Sequence, residues 1–292
     1  MRRTKTGIAL LLLLAFCLSI AACASPDAAP DAAKKALLVV SFGTSYNESR
    51  DATIGAVEEA ITAAYPDYDV RRAFTSQIII DKLKERDGLE IDNVQEAMER
   101  LIADGVEEVV VQPTHVMNGY EHDEMMEAIA PYEDKFDSIK YGLPLLNSDE
   151  DYAEVVSIIT EETAKYNQEG TAIVFMGHGT EHAANSTYAK LQQNLTDGGH
   201  ANYFIGTVEA EPSLEDVMEQ VKASAASKVV LLPLMIVAGD HANNDMAGDE
   251  EDSWKTAFKE EGFEVDCVIK GLGEYAGIQK MFVEHAGAAI AQ

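Results

Sequence analysis

Cysteine and positive charge are both scarce in this chain. Its 292 residues hold 3 Cys. Two of them, Cys17 and Cys23, lie at the N-terminus, which leaves Cys267 alone in the remainder. That remainder has no internal disulfide and must be held together by its core. Cys267 lies in the alternating apolar stretch 263–269 and is expected to be a small buried hydrophobe. Basic residues number 22 against 51 acidic, a formal net charge of −29. So acidic a surface repels a phosphate backbone, which argues against nucleic acid, and it favours cationic partners such as metal ions. Also missing are a Gly-x-x-x-x-Gly-Lys loop, a Gly-x-Gly-x-x-Gly after the first strand and a Gly-x-Ser-x-Gly elbow. Nucleotide-driven, dinucleotide and serine-nucleophile chemistry are therefore unsupported.

Long apolar runs are almost absent too. The one example, residues 8–20, is short for a membrane span. Arg2, Arg3 and Lys5 precede it, and Ala21 and Ala22 follow. This is the pattern of a signal peptide over residues 1–22. Ile20-Ala21-Ala22-Cys23 resembles the bacterial lipobox, in which the Cys carries the lipid. The expectation is an exported protein, periplasmic or anchored to the membrane only through Cys23. Residues 23–35, rich in Ala, Pro and Asp, read as a tether. Losing the three basic residues of the leader takes the net charge from −29 to −32.

What is present is a repeated α/β pattern. Strands are expected over 36–42, 68–74, 106–112 and 138–143, with helices over 51–64, 94–103 and 125–132. The series then restarts. Strands over 172–176, 202–208, 228–232 and 263–269 alternate with helices over 185–195, 214–223 and 277–289. Ser41-Phe42-Gly43-Thr44 lines up with Gly177-His178-Gly179-Thr180, and Pro113 with Pro233. Six residues past each Pro stand Gly119 and Gly239, followed by Tyr120-Glu121 and Asp240-His241. The fold class is therefore α/β, with two similar Rossmann-like, mostly parallel halves around a cleft. Their expected bounds are 36–145 and 146–292. In such sheets ligands bind at the carboxyl ends of the strands.

Position selects among the seven His. His178 follows a strand between two glycines, Glu209 closes the next strand, and His241 follows the third. Together they are a plausible ligand set for a first-row divalent ion. Imidazole ligates only when neutral, so affinity should fall on acidification. Glu121, the duplicate's counterpart of His241, should face the same cleft from the opposite wall. His115 ends a strand of the first half and is a candidate for lining that cleft, and His182 is the reserve ligand four residues from His178. His122, His200 and His285 are read as ordinary loop or helix residues.

Several longer motifs complete the pattern. Ala36-Leu-Leu-Val-Val-Ser-Phe-Gly-Thr-Ser-Tyr, Arg72-Ala-Phe-Thr-Ser, Asn118-Gly-Tyr-Glu, Phe175-Met-Gly-His-Gly, Gly206-Thr-Val-Glu and Val237-Ala-Gly-Asp-His-Ala-Asn-Asn-Asp-Met stand in this order. From about Ala36 onward the chain resembles the anaerobic-type sirohydrochlorin cobalt chelatases (CbiK type, class II chelatases). The resemblance implies two Rossmann-like halves around a tetrapyrrole cleft. It implies a chelatase that inserts Co²⁺ (Fe²⁺ or Ni²⁺ being alternatives) into sirohydrochlorin, with no nucleotide required. It places the two family histidines at His178 and His241 and the family's glutamates at Glu121 and Glu209. Export fits a biosynthetic enzyme poorly. The alternative is an exported haem- or metal-binding protein of the same fold that delivers rather than catalyses. A homo-oligomer is compatible with the sequence.

Overall fold

The computed structural model describes residues 34–292. The leader and nearly all of the expected tether, with Cys23, lie outside the described residues. Lys35 already belongs to the first strand.

The first half runs β1 (Lys35–Ser41), α1 (Asn47–Arg50), a π-turn (Asp51–Gly55) into α2 (Ala56–Ala64), β2 (Asp69–Phe74), α3 (Gln77–Asp87), α4 (Val94–Ala103), β3 (Glu108–Pro113), α5 (Tyr120–Ile129) and β4 (Ser138–Tyr141). Next comes α6 (Asp149–Glu162). The second half continues with β5 (Thr171–Gly177), α7 (Ser186–Asp197), β6 (Tyr203–Thr207), α8 (Leu214–Ala223), β7 (Lys228–Pro233), α9 (Trp254–Glu260), β8 (Glu264–Cys267) and α10 (Ala276–Ile290). Each half forms a four-stranded, all-parallel sheet, in the orders β2-β1-β3-β4 and β6-β5-β7-β8. The expected α/β class and the duplication are what the structure contains.

The central strands are β-branched and apolar, and β5 is buried along its whole length, as parallel strands covered on both faces must be. Helices α3, α6 and α9 were not expected. The mean hydropathy of α3 is low, α6 opens on Asp149-Glu150-Asp151, and α9 follows the acidic run 249–252, which reads as a solvated face. What defines α6 and α9 locally is capping. Ser148 accepts from the Asp151 N–H in a reciprocal capping box, and Ser253 accepts from Thr256.

The helix after each half's last strand packs on the other half. Tyr152 of α6 donates to Thr187 of α7 at 3.1 Å. In return Tyr65, at the end of α2, donates to the Val283 carbonyl of α10 at 2.8 Å, and Lys140 of β4 donates to that of Ile290 at 2.9 Å. One apolar cluster therefore runs from Leu37 and Val39 through α6 and α10 to Ile173 and Phe175. This exchange fixes the two sheets against one another, so their strand ends present one shared seam. Cys267 differs from expectation. Strand β8 is an edge strand and leaves it only half-buried, and burial still pushes its thiol above the usual range.

Candidate functional site

Three adjacent strands of the second sheet bring three side chains together. In the order β6-β5-β7, the chain leaving β6 carries Glu209, that leaving β5 carries His178, and that leaving β7 carries His241. One ligand atom from each lies within 4.8 Å of the other two. The imidazole rings of His178 and His241 meet edge to face with centroids 4.7 Å apart. His178 Nε2 stands 3.8 Å from Glu209 Oε1, too far for a hydrogen bond. The expected trio is thus assembled, and its members are held by the scaffold rather than by each other.

The backbone explains the placement. Ladder bonding continues past the strands, with Val208 N–H donating to the Gly177 carbonyl and Glu209 N–H to that of His178. Gly179 has φ +84°, and a Cβ there would stand 2.8 Å from the Ala210 nitrogen. Only glycine lets the loop after β5 turn under the loop after β6. Gly177 is packed against Tyr188, whose hydroxyl accepts the Gly179 N–H at 3.2 Å.

Both rings offer the same nitrogen. His178 Nδ1 is 2.8 Å from the Gly179 carbonyl, and His241 Nδ1 is 2.8 Å from Asp245 Oδ2. Each Nδ1–H donates there, which leaves each Nε2 with its lone pair free toward the cleft. The donor set therefore fits a first-row divalent ion: two imidazole Nε2 atoms and a carboxylate, all partly open to solvent. Asp245 was not singled out from the sequence, although its i, i+4 spacing from His241 was visible. Asp245→Leu should weaken Co²⁺ binding about 10–100-fold. Asp245→Asn, whose amide oxygen still accepts Nδ1–H, should retain most of it, and equilibrium dialysis reads the difference.

Glu121 faces the seam from the first half. It occupies the first turn of α5, and His241 stands at the N-cap of the short helical turn after β7. Thr75 donates to Glu121 Oε2 at 3.0 Å. Burial holds the Glu121 carboxyl above the ordinary range. Glu124 adds to this, and the Thr75 hydroxyl and nearby His178 pull it back. Thr75 belongs to the Arg72-Ala-Phe-Thr-Ser motif, whose spacing alone does not show its contact with Glu121.

The remaining histidines separate. His182 reaches across the seam to Asp123 at 3.4 Å and packs edge-on against Tyr120 at 5.0 Å. His200 packs on Tyr203, and His285 bonds Asp151 and the Leu143 carbonyl. His115 is buried, 6.2 Å from the His122 ring, with both nitrogens unpartnered. Burial, with His122 adding, lowers its pKa to about 3. Above pH ~6.5 neither the folded nor the unfolded chain protonates it. Below that the unfolded chain gains a proton that the fold refuses. Stability is therefore lost as pH falls from ~6.5 toward 3, by up to about 1.4 kcal/mol per pH unit. His115→Leu should remove that loss, which urea unfolding at pH 7 and pH 4 would show as a shallower drop.

With this geometry in place, comparison with known proteins is direct. Residues 35–291 match the sequence model of the family described as cobalt chelatase (CbiK). A sirohydrochlorin cobaltochelatase of Salmonella typhimurium is 40% identical over 260 residues, which is 88% of this chain and 97% of that protein. The sirohydrochlorin cobaltochelatase CbiKC of Nitratidesulfovibrio vulgaris is 29% identical over 259 residues, 88% of this chain and 91% of that protein. Among solved structures, SirB from Bacillus subtilis superposes with a TM-score of 0.63 at 15% identity, covering 88% of this chain and 96% of its own. CbiX, from denitrifying bacteria, gives 0.52 at 17% identity, covering 87% and 99%. These two establish the fold, and the family match over nearly all the described residues establishes the kinship: the chain belongs to the cobalt chelatase (CbiK) family.

Proposed function

We propose that the protein is a sirohydrochlorin cobaltochelatase in which His178, His241 and Glu209 hold the incoming Co²⁺. The observation that carries this reading is the convergence of two Nε2 lone pairs and one carboxylate at the strand ends of a cobalt-chelatase fold. The macrocycle would lie in the seam, with the metal trio on one side and Glu121 on the other. Metal entry releases two pyrrole N–H protons. Both imidazole Nε2 atoms are committed to the metal, so Glu121 is the free base and takes one of the two protons, and the other passes to solvent water at the open seam. Holding ion and ring together makes their encounter nearly unimolecular.

Glu121 accepts a proton only when ionised. Its raised pKa therefore puts the acidic fall in turnover above the ordinary carboxylate range. Glu121→Gln should lower kcat about 10²-fold and abolish that limb while leaving Co²⁺ binding intact.

The chelatase reading is tested with catalytic amounts of protein, sirohydrochlorin and Co²⁺. Absorbance change well beyond one equivalent supports an enzyme. A stop at one equivalent supports the second reading, an exported carrier, which the leader-like N-terminus favours. Export with lipid at Cys23 belongs to the same proposal. Cys23→Ser should move the protein out of the membrane fraction, and unchanged fractionation would refute the anchor.

A further inference from the structure

Helix α3 carries an exposed stripe that is only partly engaged among the described residues. Ile78, Lys82 and Arg86 are spaced i, i+4, i+8 and so share one face. Ile78 is 79% exposed, the highest value for a large hydrophobic side chain among the described residues. Lys84 pairs with Glu90, whereas Lys82 has no ion pair among the described residues. Arg86 uses Nε and Nη2 on Asp87 and Asn47, which leaves its Nη1 edge free.

Lys82 and Arg86 line a cavity of about 710 Å³ at the seam. Its other walls include Tyr46 and Asn243. Tyr46 donates to Asp240, the residue before His241, at 3.2 Å, and the Ala238 N–H donates to Ser49 at 3.0 Å. The cavity therefore borders the metal loop. The apolar end of the stripe begins three residues after Thr75, which holds Glu121.

Charge supply points the same way. All arginines of the described residues lie between positions 50 and 100. Arg50, Arg71, Arg72 and Arg100 are each paired with a carboxylate of the first half. Lys82 and the Nη1 edge of Arg86 are what this wall has left for an anion. Glu48 and Glu274 line the same cavity, and Glu274 is turned to the Gly271 N–H. A ring rimmed with carboxylates is repelled there and can place them only toward α3.

We infer that this face of α3 seats the substrate's rim, with Ile78 against the ring edge and Lys82 and Arg86 on its side-chain carboxylates. The inference rests on the reading of the substrate as a carboxylate-bearing tetrapyrrole. It is tested by fluorescence titration of sirohydrochlorin into the full protein without metal. Lys82→Gln and Arg86→Gln should each weaken binding about tenfold, and Lys82→Glu more, with a smaller salt dependence. Circular dichroism and Co²⁺ dialysis should not change. Equal affinity in a K82E/R86Q double variant would overturn the inference. Weakened variants beside a parent that binds but never metalates would uphold this seat and refute the chelatase reading. A parent that does not bind sirohydrochlorin would refute both.

Discussion

His178→Ala and His241→Ala should each lower chelatase turnover by about 10²–10⁴-fold with unchanged circular dichroism. Both side chains are partly exposed, and neither belongs to the apolar core, so the fold does not depend on them. Each loss removes one of two Nε2 donors and leaves an imidazole and a carboxylate, a pair that binds a first-row ion weakly. The two variants should differ in one respect. Removing His241 also frees Asp245, whose carboxylate has no other hydrogen-bond partner among the described residues. Removing His178 frees only the Gly179 carbonyl, which water can satisfy. Apparent KM for Co²⁺ should rise in both before kcat is read at saturating metal. Turnover equal to the parent in either variant would remove that residue from the site.

The second large effect is expected at a residue with no side chain. Gly179→Ala should destabilise the fold by about 2–4 kcal/mol, from a left-handed backbone and from forced contact. The added Cβ would stand 2.8 Å from the Ala210 nitrogen and 2.9 Å from Thr207 Cβ, neither of which can swing aside. Relief requires the loops after β5 and β6 to part. Those loops carry His178 and Glu209, so metal affinity should fall together with stability. Urea unfolding and Co²⁺ dialysis on the same sample would show both. Gly199→Ala is the control. It also has a positive φ, +83°, but nothing lies within 4 Å of its Cβ, so it should lose only the backbone part and leave metal binding alone.

Much of this was legible in the sequence because parallel sheets advertise themselves. Buried strands such as Ala172-Ile-Val-Phe-Met cannot alternate polar and apolar residues, and they stop at Gly or Pro. Once the strand ends were located, His178, Glu209 and His241 followed, since the carboxyl ends of neighbouring strands must be close. Helices α6 and α9 were less visible. The first turn of α6 is acidic, α9 follows the acidic run 249–252, and the capping bonds of Ser148 and Ser253 are local signals that periodicity does not carry. Asp245 and Thr75 were missed for a related reason. Each acts through another side chain, and neither role shows until the helix turn or the facing strand end is in place. The reciprocal exchange of α6 and α10 is a long-range choice between equivalent apolar faces, and no local pattern encodes it.

The claim that the trio holds the metal is tested most directly by the ligands of bound Co²⁺. X-ray absorption of the Co²⁺-loaded protein, without tetrapyrrole, counts imidazoles at the ion. Two are expected in the parent, one in His178→Ala and one in His241→Ala, with the carboxylate contribution lost in Glu209→Ala. An unchanged ligand set in any of the three variants would contradict the assignment of that residue as a ligand.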